Sequence, residues 1–231
     1  MSFMAPVAFP NTWVCISHLI ALVINDASNQ NSKRNATMAT TGDYLPTGAG
    51  KSSFGLIDAD TCFNALNLQK GICFLDVACG RGAYCLKAAD IIGPAGIVFG
   101  VDLWADGIEE LKTGAIEKNY HNIRAIVSDV GRQIPLDDHS VDVCLLATVL
   151  HDFVEDHVAK EVLQEIVRVL KTDAILAIIE FKKIDGPPGP PKSIRLSPEN
   201  VIDMLTNDGF MKDRVTDIGP YNYLITFTRE S

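Results

Sequence analysis

Residues 73–85 read Cys73-Phe74-Leu75-Asp76-Val77-Ala78-Cys79-Gly80-Arg81-Gly82-Ala83-Tyr84-Cys85. Phe74, Leu75 and Val77 are apolar, with one acid, Asp76, among them. Two glycines bracket a single arginine, and Ala83 to Ile92 continues with helical spacing. The pattern predicts a buried strand, a tight turn and a helix start. Such a turn aims backbone N–H groups at whatever lies above the end of the strand, where open α/β sheets bind their ligands.

Further strands and helices alternate after this turn. Ile97–Asp102 reads as a second strand ending in an acid, after the turn Gly93-Pro94-Ala95-Gly96. Trp104–Lys118 has helical periodicity, with Ile108, Leu111 and Ile116 as its apolar face. Ile123–Ser128 is a third strand, and the apolar run Val141–Ala147 a fourth, as buried parallel strands read. Val158–Leu170 is an amphipathic helix and Ala174–Phe181 a fifth strand. A helix capped by Ser197 runs through Leu205 and stops at Asn207-Asp208-Gly209. Two short strands follow, near Met211–Val215 and Tyr221–Thr228. Alternation on this scale implies a doubly wound, mostly parallel sheet.

The acids carry the chemistry. Asp76 ends the first strand, Asp102 the second, and Asp129 follows the third. On a parallel sheet all three reach one edge. Asp102 is placed for both hydroxyls of a ribose, Asp129 for an exocyclic adenine amine, and Asp76 for ordering the loop or meeting an ammonium through water. Asp at strand ends is also common turn chemistry. Three in succession around one glycine turn favour a nucleoside site.

Composition narrows the class. The chain has 231 residues, 47% hydrophobic and 21% charged, with a formal net charge of −9. That describes a globular domain and argues against phosphate-backbone binding, which needs clustered Lys and Arg. Six cysteines with no CxxC pair read as reduced, buried thiols and not as a zinc site. Residues 1–40 read as a flexible appendage to a domain at 41–231. Their apolar run Trp13–Ile24 is too short for a bilayer span and lacks the preceding basic residues of a signal peptide. Leu45-Pro46-Thr47-Gly48-Ala49-Gly50-Lys51-Ser52-Ser53 imitates a P-loop, but Leu45 stands where that motif needs glycine and no apolar strand precedes it. It reads as a glycine loop leading into a short helix, Phe54–Leu66, at the edge of the site.

At this point the sequence resembles the class I S-adenosylmethionine-dependent methyltransferases, over about residues 50–230. Asp76–Gly82 looks like their first motif, Gly100-Val101-Asp102-Leu103 like the ribose motif, and Ser128-Asp129-Val130 like the adenine element. Ile134-Pro135-Leu136 with Ser140–Cys144, and Arg168-Val169-Leu170-Lys171, resemble the approaches to the fourth and fifth strands. Within the family it looks nearest to small-molecule enzymes of the ubiquinone/menaquinone biosynthesis type. The resemblance implies a Rossmann-like, seven-stranded, mostly parallel sheet with an antiparallel strand near the C-terminus. It implies S-adenosyl-L-methionine as cofactor, held by Asp76, Ala78, Cys79, Gly80, Gly82, Asp102, Leu103, Ser128, Asp129, Val130 and Thr148. It implies in-line methyl transfer to a small-molecule acceptor, in the cytoplasm, without metal, nucleic acid or membrane span. A non-catalytic cofactor-binding protein and an NAD-dependent oxidoreductase are the competing readings.

Two positions depart from the family. Ala78 replaces the first glycine of the motif, which a negative φ would accommodate. Thr172-Asp173-Ala174 replaces a Pro-Gly-Gly turn. After the fourth strand, Thr148-Val149-Leu150-His151-Asp152 supplies His151 as a candidate general base with Asp152 to orient it. A packing histidine is the alternative. Glu180 and Lys182 are candidates for lining the acceptor pocket, with Arg195 and the proline loop 186–191 as its far wall.

Overall fold

The computed structural model describes residues 48–229. The N-terminal appendage, its apolar run and the boundary at residue 40 lie outside them. A short 3-10 turn, Phe54–Leu56, precedes α1 (Ala59–Leu66), and the order continues β1 (Cys73–Val77), α2 (Ala83–Ile92), β2 (Ile97–Asp102), α3 (Ala105–Glu117), β3 (Ile123–Val127) and β4 (Val141–Ala147). Then come α4 (Leu150–Glu155), α5 (Ala159–Val169), β5 (Leu170–Phe181), α6 (Pro198–Asn207), β6 (Phe210–Asp217) and β7 (Asn222–Arg229).

The seven strands form one sheet in the order β3-β2-β1-β4-β5-β7-β6. Neighbours from β3 to β5 are parallel, and β7 runs antiparallel to both β5 and β6. This is the doubly wound, Rossmann-like sheet that the motifs imply. The chain leaves β1 to build β2 and β3 on one side and returns to build β4 on the other. The crevice at this reversal, between the ends of β1 and β4, is where such sheets take ligands.

Local chemistry sets the elements. Asp58 caps α1 by accepting from the Thr61 N–H, and Asn67 ends it in the left-handed region. That cap breaks the single helix expected over 54–66 into a turn and α1. Ser197 and Asn200 form a reciprocal capping box on α6, with Pro198 in its first turn. Along α5, Val162, Leu163, Ile166 and Val169 share the buried face. On α3, Ile108 and Leu111 are buried as expected, but Ile116 is 79% exposed. The small Ala115 takes the inner position in its place. The largest difference lies after β4, where a six-residue helix, α4, carries His151. Six residues give too little periodicity to be seen in sequence.

Both faces of the sheet are covered. One cluster packs α5 and α6 against Leu75, Val77, Leu146, Ile178 and Phe227. The other packs α1, α2 and α3 against Phe74, Val98, Leu145 and Ile179. Cys62, Cys79, Cys85 and Cys144 are buried in these clusters as free thiols. Arg168 fastens the loop before β4 by donating to the Ile134 and Leu136 carbonyls while pairing with Glu165 and Asp138. Among the described residues, no helix is long and apolar enough to cross a membrane.

Candidate functional site

The turn after β1 is made of alternating left-handed residues: Ala78 at φ 56°, Gly80 at 54° and Gly82 at 74°. Three of its N–H groups close the turn on the protein itself: Cys79 on the Val101 carbonyl, Gly80 on Asp102 and Gly82 on the Cys79 carbonyl. The negative φ expected of Ala78 is therefore corrected. The turn demands the left-handed region, and alanine occupies it at a cost of about 1–2 kcal/mol. Gly82 has no such freedom to change, since a Cβ there would run into the Leu111 side chain of α3. The Cys79 N–H donates to the Val101 carbonyl (3.2 Å), which ties the turn to the end of β2.

Asp102 sits at that end and is nearly buried. Its Oδ2 accepts from the Gly80 N–H and its Oδ1 from the Trp104 N–H, both at 2.7 Å. One carboxylate thus couples the glycine turn to the start of α3. Each oxygen keeps a second lone pair, so capacity for a diol remains. Leu103, next in sequence, is 44% exposed, an apolar surface beside those oxygens. Carboxylate oxygens with spare lone pairs beside an apolar side chain fit the ribose and base of a nucleoside.

Asp76 is 1% exposed, and its Oδ2 accepts from the Cys85 thiol (3.2 Å). Burial pushes its carboxyl up to about 7, with the nearby Asp102 adding to the rise. The third strand's end is turned inward on itself. Asp129 accepts from the Gly131 N–H (3.1 Å) and pairs with Arg132 (3.2 Å). Ser128 donates its hydroxyl to the Gln133 carbonyl (2.9 Å), and Val130 is buried in the core. The structure therefore gathers Asp76, Ala78, Cys79, Gly80, Gly82, Asp102 and Leu103 around one turn. It places Ser128, Asp129 and Val130 in an adjoining loop whose side-chain bonds are internal.

Across the crevice, the end of β4 carries Thr148 at φ 55°, a rare conformation for a β-branched residue. Its N–H donates to the Ile179 carbonyl (2.7 Å), and its hydroxyl donates to the Ala147 carbonyl (2.8 Å) and stands 3.1 Å from Ser53 Oγ. Ser53 Oγ is in turn 2.9 Å from the Tyr84 hydroxyl. This buried chain of hydroxyls pins the P-loop-like stretch to α2 and β4. From there the stretch passes Arg81 and Trp104 at Gly50 and reaches Asp152 at Gly48. Gly48 at φ 87° and Gly50 at φ 77° lie in the left-handed region that favours glycine. The sequence offered no signal for Ser53.

His151 is 4% exposed on α4. Its Nδ1 lies 2.8 and 3.0 Å from the two carboxylate oxygens of Glu180, and its own backbone N–H donates to Glu180 Oε1 (3.0 Å). Glu180 is fully buried at the end of β5. The Asp152 carboxylate stands 3.6 Å from Nε2. Glu180, not Asp152, makes the bond that fixes the ring. Adjacent residues on a helix diverge, whereas β5 delivers Glu180 from the neighbouring strand. Burial pulls the imidazole pKa down, but the bond and charge of Glu180, with Asp152, outweigh it and hold it above the usual value. The signal for Glu180 was present as a lone acid in the apolar run Ala174–Phe181.

Lys182 pairs with Asp217 and donates to the Gly219 carbonyl, both at 2.7 Å, so it is not a free lysine over the pocket. Among the described residues no cluster of three or more His, Cys, Asp or Glu side chains has metal-binding geometry.

Comparison with known proteins bears on this edge. A family profile described as a methyltransferase domain matches residues 68–218. A demethylmenaquinone methyltransferase from Listeria monocytogenes serotype 4a (strain HCC23) is 32% identical over 122 residues, which cover 53% of this chain and 50% of the relative. The chain spans about half the length of the curated relatives it matches. A crystal structure of a SAM dependent methyltransferase from Aquifex aeolicus superposes with a TM-score of 0.69 at 27% identity, covering 76% of this chain and 91% of that one. The [4+2]-cyclase SpnF superposes at 0.62 with 20% identity, covering 75% and 81%, which shows shared fold alone.

Proposed function

The chain belongs to the methyltransferase-domain family, and from that membership we propose that it moves a methyl group from S-adenosylmethionine to a hydroxyl-bearing ring of the quinol type. S-adenosylmethionine is the cofactor of such a domain and supplies, when bound, a methyl group already activated on a sulfonium. Asp102 would hold its ribose hydroxyls, Leu103 would pack on its base, and the turn 78–82 would take its amino-acid end. Asp76, on β1 just before that turn, is a second buried carboxylate beside it. The chain's remaining work is to align an acceptor and remove its proton.

The observation that carries the reading is the pair His151–Glu180. Glu180 accepts from Nδ1–H, which leaves Nε2 as the basic atom. Nε2 takes a proton from the acceptor's hydroxyl, and the imidazolium so formed is held between Glu180 and Asp152. A phenolate or enolate is a far better nucleophile than its neutral form. A quinol supplies such a hydroxyl, and the matched Listeria relative is named a demethylmenaquinone methyltransferase.

Two measurements test this. Calorimetry with S-adenosylhomocysteine and with NAD should show binding of the first and none of the second. Cofactor labelled on its methyl group should then transfer label to a reduced naphthoquinol and not to its oxidised quinone. Binding of NAD in place of S-adenosylhomocysteine would overturn the cofactor assignment. Equal labelling of quinol and quinone would overturn the role of the base.

A further inference from the structure

Arg195 is 2% exposed and ranks among the largest fully buried side chains of the protein. It faces no carboxylate within ion-pair distance among the described residues. Instead its guanidinium spends all five N–H donors on backbone carbonyls of a single loop. Nε donates to Pro190 (2.9 Å), Nη1 to Lys182 and Ile184 (3.1 and 3.0 Å), and Nη2 to Gly186 and Pro188 (2.7 and 2.8 Å). A lone serine or lysine contact would leave this loop free. Five bonds to one planar fork fold it into a ring around the cation.

The ring has a floor. The guanidinium carbon lies 5.6 Å from the centroid of Phe181, and Gly189 packs so closely on that same ring that a Cβ would stand 2.7 Å from two of its carbons. The Phe181 ring meets the His151 ring edge to face, with centroids 6.3 Å apart. Phe181 follows Glu180 in β5, so one strand end holds both the partner of Nδ1 and the plate beside the imidazole. Ile184 and the prolines give the loop an apolar outer surface, and Lys192 pairs with Asp185 across its neck (3.0 Å).

We propose that Arg195 is a positioning residue, whose cation organises loop 182–190 on Phe181 and thereby sets both the acceptor-side wall and the charge balance around His151. The side chain does not line the pocket as a donor to substrate, because no N–H remains. It acts through the loop and through Phe181. The charged groups facing His151 are Glu180 from β5, Asp152 from α4, and Arg195 from the segment before α6. Two anions and one cation thus surround the base. Removing the cation leaves two anions, which favour the protonated imidazole.

The test uses the full chain and two substitutions. Arg195→Lys keeps the charge but offers three donors in no fixed plane. Arg195→Met removes charge and donors while keeping a long side chain. Histidine side-chain NMR, with His151 assigned by its disappearance in His151→Gln, reads the imidazole titration without any turnover. Hydrogen exchange reads the amides of residues 183–189. The Met variant should show an upward shift of the His151 midpoint and faster exchange in the loop. The Lys variant should show the faster exchange with its midpoint near the parent's. S-adenosylhomocysteine affinity should stay within about twofold in both. Where a quinol acceptor turns over, kcat/KM should fall about a hundredfold in each, the loss expected of an ångström-scale misplacement. An unshifted midpoint in the Met variant, or parental exchange in both, overturns the proposal. Should Arg195→Met not fold, unchanged loop exchange in Arg195→Lys overturns it alone. The kinetic arm rests on the methyl-transfer reading. If no quinol accepts label, that reading fails, while NMR and exchange still decide the role of Arg195.

Discussion

At the ends of β1 and β2 the protein builds its site from backbone; at the ends of β4 and β5 it builds from side chains. The first half is a run of left-handed turns, 78 to 82, closed by its own backbone bonds and braced by Asp102. The second half is an imidazole set by one buried carboxylate and an aromatic plate set by one buried cation. The difference teaches where each half is vulnerable. A backbone cradle tolerates unusual side chains, so Ala78 stands in for glycine at a cost in strain. A side-chain constellation fails at a single atom, because no neighbouring group can make the bond to Nδ1.

The sharpest way to break this contrast is Glu180→Gln, which keeps shape and removes charge. In the parent, the base acts only when neutral, and its pKa is held above 6.5. The rate should therefore rise with pH through a midpoint above that value and level off beyond it. In the Gln variant, burial is opposed only by Asp152, so the midpoint should fall. The maximal rate should drop about 10²–10⁴-fold, because the ring loses its fixed tautomer and the partner for its positive form. Affinity for S-adenosylhomocysteine should not change, since Glu180 touches nothing in the turn 78–82. A comparable loss in affinity would show that the two halves are not separate.

Asp102→Ala attacks the other half. It removes the acceptor of the Gly80 and Trp104 N–H groups as well as the proposed diol contact. Affinity for S-adenosylhomocysteine by calorimetry should weaken about a hundredfold, or ~2.7 kcal/mol. Asp102→Asn retains one carboxamide oxygen and should lose less. Equal losses in the two variants would mean that charge, and not bracing of the turn, is what Asp102 provides.

The same contrast governs what could be read from the sequence. The backbone half lies in one contiguous stretch and a strand-end acid, and glycine spacing reports left-handed turns directly. The fold class and the Asp76–Gly82 turn were legible for that reason. Ala78 was not, because nothing in a sequence states the sign of φ for a residue that rarely adopts the positive one. The side-chain half joins residues 151, 180, 181 and 195, brought together only by the pairing of β4 with β5 and the return of the proline loop. His151 was visible as a candidate and Glu180 as an odd acid in an apolar strand, but their bond follows from register. Arg195 suggested a wall, and only the folded loop shows that every one of its donors is already taken.

The last effect expected is the most particular to the backbone half, and it concerns stability. Asp76 is buried beside the turn and accepts a hydrogen bond from the Cys85 thiol, and its carboxyl is pushed up to about 7 from 3.8. Because the folded value is the higher one, the folded state binds the proton more tightly than the unfolded chain. The stability this gives is complete below about pH 3.8 and is lost as pH rises through about 7. A shift of this size is on the order of 4 kcal/mol at most, and water reaching the turn would reduce it. Asp76→Asn carries no ionisable proton and should show no such decline. Denaturant midpoints measured at about pH 5 and about pH 8 should therefore differ less in the Asn variant than in the parent, with the variant the more stable at the higher pH. The gain should come with weaker S-adenosylhomocysteine binding, as expected when a strained buried charge is kept for a ligand's sake. Parallel pH profiles for the two proteins would mean that Asp76 is ionised without penalty in the folded state, and the turn would then need a hidden positive partner.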